Sequence, residues 1–231
     1  MPTVARPIPA PAPHVPALLV PARRKSIAEE VAEHLRREIV TAAIEPGAPV
    51  RQDHIARLFG VSHAPVREAL GQLAAEGLVV HAVNRGTRVA PLDRAEAAEI
   101  GELRGRIEPN LARQAAMSFT GDDDHRARLA IERMAAAGDD IAALMAANEE
   151  FHDIIHAAAG KPIAACIARQ LRARYARYLG TIWRRSGHAR TSYDEHIALL
   201  ELLAAGDGRA AARSLTTHIQ TTTKAMLALL D

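Results

Sequence analysis

Six polar side chains fall where helical periodicity calls for buried apolar ones. Arg104 lies within a stripe of Ile100, Leu103, Ile107 and Leu111, and Asn148 and His152, spaced i and i+4, lie within Leu144, Met145, Phe151 and Ile155. His196 is surrounded by Tyr193, Ile197, Leu200 and Leu203, while His218 and Thr222 share a stripe with Ala211, Leu215, Ala225 and Leu229. A single histidine on an apolar face is usually a satisfied core residue. Three imidazoles, an amide and a guanidinium together are costly to bury unless they meet one another, water, a metal or a bound anion. Convergence on one cavity is therefore predicted. Three neutral imidazoles suit a divalent transition metal, zinc first, with nickel or manganese as alternatives, and the Asn148/His152 pair can approach one ion together. His125, His156 and His188 fall off these stripes and are assigned to the surface.

The elements that carry these residues read as helices. Beyond Pro91 the pattern is helical between breaks at Thr120-Gly121, Gly138, Gly160-Lys161-Pro162, Ser186-Gly187 and Gly206-Asp207-Gly208, which gives about six helices and no strand. Residues 92–231 are thus predicted to form an all-α antiparallel helical bundle.

Residues 26–91 read differently. Ser26 with Glu29 is a capping box, and Ile27, Val31, Leu35 and Ile39 carry a helix to Ala43, before Glu45-Pro46-Gly47. A short helix over 53–59, with Ile55, Leu58 and Phe59 on one face, stops at Gly60, and Ser62 caps a longer one with Val66, Leu70, Leu73 and Ala74 inside. Two strands, 78–81 and 87–90, join across Asn84-Arg85-Gly86. The whole is a mainly α chain opening on a winged helix-turn-helix.

Pro46-Gly47, Ile55-Ala56, the run from Gly60 to Leu70, Leu73, Glu76-Gly77-Leu78-Val79 and Gly86 closely resemble the GntR family of bacterial regulators. The resemblance spans nearly all of 26–91. It implies that Arg67 contacts DNA and that Gly86 stands at a wing tip near the minor groove. A recognition helix presents its N-terminal residues to base edges and its preceding turn to phosphate, so Arg51, Ser62, His63, Ala64, Pro65, Arg67, Arg85 and Gly86 are the candidate contacts with double-stranded operator DNA. The family usually has Arg at the position of His63, and Arg is the stronger reader of guanine, so a different operator is expected. Gly60-Val61-Ser62-His63-Ala64 imitates a nucleophile elbow but follows a helix in a chain with no parallel-strand pattern.

Leu103-Arg104, Ile107-Glu108-Pro109, Phe151-His152, Glu195-His196 and His218 make residues 92–223 similar to the FCD ligand-binding domain of the FadR branch of that family. This resemblance implies a metal held by His152, His196 and His218 with Asn148 in the place usually taken by Asp. It also implies a small carboxylate or sugar-acid effector near Arg104, with Tyr175 and Asn148 as further effector contacts. A neutral amide in place of carboxylate keeps one more positive charge in the site. The reading is a homodimeric regulator whose operator affinity follows an acid bound in the bundle. Two rivals stand behind it: the same regulator with a purely structural dimerisation bundle, and a metal-dependent hydrolase. The hydrolase lacks a general base, because Glu149, Glu150 and Asp153 lie off the stripe.

Composition narrows the rest. The net charge of +2 and pI near 9.0 are too mild to indicate a nucleic-acid partner alone, although Arg6, Arg23, Arg24 and Lys25 precede the first acidic residue, Glu29. Seven prolines between positions 2 and 21 make residues 1–25 a predicted disordered arm. Cys166, the one cysteine, rules out an internal disulfide and is read as a packed thiol in the run Ile163–Ile167. With no apolar run of membrane-spanning length and no secretion signal, a cytoplasmic, nucleoid-associated protein is expected.

Overall fold

A computed structural model of the protein describes residues 25–82, 86–186 and 189–230. Residues 1–24 of the predicted arm, Arg85 and His188 lie outside them, as do the side chains of residues 185–191. The sequence pattern produces helix α1, Ile27–Val40, where the Ser26 hydroxyl accepts from Glu29 N–H and the Glu29 carboxylate accepts from Ser26 N–H. Helix α2, Gln52–Phe59, ends on Gly60 at φ 64°, a left-handed position that a Cβ would strain. Helix α3, His63–Ala75, follows at once. Ser62 is its N-cap by backbone, but the hydroxyl makes no capping bond, contrary to the sequence reading. Leu58 is also displaced from its predicted role. It is 63% exposed, because α2 is too short to bury more than Ile55 and Ala56.

Three antiparallel strands complete this half: β1 Pro49–Val50, β2 Val79–Ala82 and β3 Gly86–Val89, in the order β1-β3-β2. The hairpin register pairs Val79 with Val89 and Ala82 with Gly86. Two-residue β1 is an addition to the predicted pair of strands.

The C-terminal half comprises α4 Arg94–Ala115, α5 Gly121–Ala136, α6 Ile141–Ala158, α7 Pro162–Ser186, α8 Ala189–Ala204 and α9 Gly208–Leu229. The inward stripe of α4 is rotated from the predicted one. Ile100, Gly101, Arg104, Glu108 and Leu111 are buried, whereas Leu103 is exposed and Ile107 half-buried. Gly101 is part of the buried face: a Cβ there would lie 2.5 Å from Thr223 Oγ1, so its missing side chain lets α9 press against α4. On α9, Met226 is buried and Leu229 exposed. Cys166 is likewise exposed, because five successive apolar residues on a helix cannot all face inward.

Helix α7 has two working faces one residue apart. Arg172, Tyr175, Leu179 and Trp183 line a cavity in the bundle. Ala173, Ala176, Arg177, Gly180 and Arg184 face the DNA-binding half: Arg177 Nη1 donates to the Gly77 carbonyl (3.1 Å) and Arg184 Nε to the Thr41 carbonyl (3.0 Å). A Cβ on Gly180 would lie 1.8 Å from the Val40 carbonyl oxygen. Arg177 also pairs with Glu96 at the start of α4. No helix among the described residues is long and apolar enough to cross a membrane.

Candidate metal centre and nucleic-acid interface

Helix α6 delivers Asn148 and His152, α8 delivers His196 and α9 delivers His218, each from an inward position. The three imidazole centroids stand 5.2 Å (His152–His196), 4.9 Å (His196–His218) and 5.8 Å (His152–His218) apart, and one ring nitrogen from each lies within 4.8 Å of the others. Both nitrogens of His196 and Nδ1 of His152 are buried without a hydrogen-bond partner. Such orphaned groups are expensive in a protein interior. His218 differs usefully: its Nδ1 lies 2.6 Å from Glu195 Oε2, an arrangement that fixes Nδ1 as the donor and leaves Nε2 with its lone pair. Burial, followed by the charge of His196, pushes His152 well below its ordinary value, and burial with His218 does the same to His196. Neutral imidazoles are the form that binds metal. The donor set therefore fits a divalent ion.

Asn148, Arg104 and Tyr175 line one cavity with His152 and His218, whereas His196 is not among its lining residues. Arg104 is not a waiting cation, however. It is 5% exposed and gives Nε and Nη2 to Glu108 (2.6 and 3.5 Å), with its guanidinium 4.8 Å over the Tyr175 ring. Burial disfavours both charges, yet their pairing prevails and holds Glu108 below the usual carboxylate range. Tyr175 donates to Thr223 Oγ1 at 3.3 Å.

His156 is a correction. It is not on the surface but 2% exposed, one turn beyond His152, and its Nδ1 lies 2.6 Å from Arg172 Nη1. Arg172, itself 2% exposed, donates Nε to Glu149 (3.0 Å) and pairs with Asp153. An arginine can only donate, so His156 Nδ1 accepts and Nε2 carries the proton, 3.6 Å from Glu108 Oε2. Glu108, His152 and His156 also lie close enough to enclose an ion, but a protonated Nε2 flanked by two guanidiniums does not suit one. This second group is a buried ladder of alternating charge. Glu108, Glu149, His156 and Arg172 were the residues that stripe reasoning missed. The one legible signal was the i, i+4, i+8 series of Asn148, His152 and His156.

The cavity measures only about 20 Å³, enough for a water molecule or an ion but not for an organic acid with the lining side chains as they stand.

In the other half, Ser62, His63, Ala64 and Arg67 are exposed along the first turns of α3, with Pro65 half-buried beside them. Arg51, the N-cap of α2, is exposed, and so is Gly86, at φ 72° where the wing turns back. His63 Nδ1 is 3.6 Å from Asp53 Oδ1. Arg85 lies outside the described residues.

Family profiles match both halves: "Bacterial regulatory proteins, gntR family" over residues 27–89 and "FCD domain" over residues 99–221. The chain belongs to the GntR family. The HTH-type transcriptional repressor RspR of Escherichia coli (strain K12) is 29% identical to it over 199 residues, spanning 83% of this chain and 85% of RspR. A probable D-xylose utilization operon transcriptional repressor of Paenarthrobacter nicotinovorans is also 29% identical, over 85% of this chain and 87% of its own. Among solved structures, E. coli McbR/YncC superposes with a TM-score of 0.78 at 22% identity, covering 90% of this chain and all of that one, and shows the shared fold. This GntR regulator is a DNA-binding transcription factor with an FCD domain.

Proposed function

We propose that this GntR protein is a cytoplasmic homodimeric repressor that holds a divalent transition metal, zinc by preference, on His152, His196 and His218 with Asn148 beside them. Bound there, the metal would supply a positive centre able to attract a carboxylate. The observation that carries the reading is the meeting of three buried imidazoles with His196 unpartnered at both nitrogens. Charge balance supports it. Three guanidiniums, Arg104, Arg169 and Arg172, stand among four carboxylates, Glu108, Glu149, Asp153 and Glu195, leaving a deficit of one positive charge around the histidines. A small organic acid therefore enters only after the metal, with Arg104 Nη1 as its protein contact, and only as Leu179 and Trp183 give way.

Helix α7 carries the response to the DNA-binding half through Arg177 and Arg184. A coupling of about 1 to 3 kcal/mol suffices to switch operator affinity. Two copies reading two half-sites give the specificity that one short recognition helix lacks. The test is thermal denaturation of untagged, chelator-stripped protein with zinc, then with small organic acids added to the stripped and zinc-loaded forms. Zinc is expected to raise Tm, and acids to raise it further only when zinc is present. An equal zinc shift in His196→Ala would overturn the metal assignment, and acid shifts without zinc would overturn the order.

A further inference from the structure

We propose that the cleft between the DNA-binding half and the helical half is a second ligand site, for a small amphipathic carboxylate. Its volume is about 510 Å³, within the roughly 300 to 1,000 Å³ of small-molecule sites, and the histidine cavity is some twenty-five times smaller. The floor is apolar, built from Val40 of α1, Leu78 next to β2, Met145 and Ala146 of α6, and Ala173 and Ala176 of α7. Both halves thus supply walls, and the hydrogen bonds of Arg177 and Arg184 join those halves directly.

The charge at the rim selects the ligand. Glu33 is answered by Lys25 (2.5 Å), Glu76 by Arg36 (2.5 Å), Glu149 by Arg172 (3.0 Å), and Arg169 is paired with Asp153 (3.2 Å). Arg37 also lines the cleft and is exposed, and no hydrogen bond or ion pair engages its guanidinium among the described residues. An apolar floor beneath a cation that no hydrogen bond or ion pair engages among the described residues complements an anion with an apolar tail. A metal ion would find its carboxylates already taken. A protein partner would need about 800 Å² of contact surface, far more than this cleft offers.

A molecule seated here touches α1 and α7 at once, so it fixes how the recognition helix is held against the sensor. Glu149 borders both this cleft and the histidine cavity, which places the two sites back to back.

The test uses the untagged full chain and two probes, the fluorescent anion 8-anilinonaphthalene-1-sulfonate and octanoate as its competitor. One probe molecule per chain is expected, displaced by octanoate. Arg37→Gln, a change on an exposed helix face, should weaken octanoate about tenfold, the loss typical of one charge-assisted hydrogen bond. Ala173→Trp should abolish binding, with circular dichroism confirming that the variant is folded. No saturable binding, or equal binding in both variants, overturns the site. Loss in Ala173→Trp with none in Arg37→Gln overturns the anionic class. Loss in His152→Ala would put the probe in the histidine cavity and overturn the cleft. Zinc binding is measured separately, so a failed metal site leaves this result readable.

Discussion

Removing metal and lowering pH should destabilise this protein in a window set by its buried histidines. Burial, opposed in part by Glu108, pushes His156 down to about 4 from 6.5, and burial also depresses His152 and His196. With folded values below the unfolded one, the unfolded chain takes up protons first as pH falls. The stability from neutral imidazoles is therefore complete above about pH 6.5 and is lost as pH falls toward the folded values. For His156 alone, the gap between 6.5 and about 4 corresponds to roughly 3 kcal/mol, of which roughly 2 is gone by pH 5. Domains have only about 5 to 15 kcal/mol to lose.

The assay is urea unfolding of chelator-treated protein between pH 7.5 and 5. Trp183, the one tryptophan and a buried wall of the cavity, reports the transition. A fall in the urea midpoint of about 1 M between pH 7 and 5 is expected, at unchanged slope. Zinc should raise the midpoint at pH 7 and do so progressively less as protons compete for the imidazoles. A midpoint that stays level from pH 7 to 5 would refute the claim that these rings are buried and neutral.

Other perturbations separate the remaining parts. Arg104→Met leaves Glu108 buried and unpaired and should cost about 3 to 5 kcal/mol in urea unfolding, whereas Arg104→Met/Glu108→Leu should recover most of it; equal losses would deny the pair its importance. Gly180→Ala forces a Cβ into the Val40 carbonyl and should cost about 1 to 3 kcal/mol with lost amide protection at the end of α1. Gly105→Ala, with nothing within 4 Å of the new Cβ, should be neutral or slightly stabilising, and a loss as large as that at Gly180 would sink the steric argument. Arg67→Ala should weaken binding to an operator recovered by in vitro selection by about 1 to 3 kcal/mol while Tm stays put; unchanged affinity would remove Arg67 from the DNA surface.

What the sequence revealed and what it concealed follow from one distinction. Local signals were plain: the Ser26/Glu29 box, Gly60 after α2, and the spacing that names the winged helix. The gathering of His152, His196 and His218 was also legible, because each interrupts an otherwise apolar stripe. Stripe reasoning fails where a helix is covered on several sides, and α6 packs against α4, α5 and α7. His156 lay off the stripe and yet inside the protein. Nor can periodicity within one helix find partners on another, so Arg172 meeting Glu149, Asp153 and His156 was invisible. The close approach of α4 and α9 needs Gly101, whose importance exists only against Thr223.

Because α7 shows one face to the cavity and the next to the DNA-binding half, substitutions along it are seldom private to either. A lineage that alters the cavity at Leu179 or Trp183 shifts the same rod on which Arg177 and Arg184 hang, and thereby its grip on promoters. Changes in the cavity would then arise with altered basal expression, and compensating changes are to be sought near Thr41 and Gly77, outside the histidine cavity.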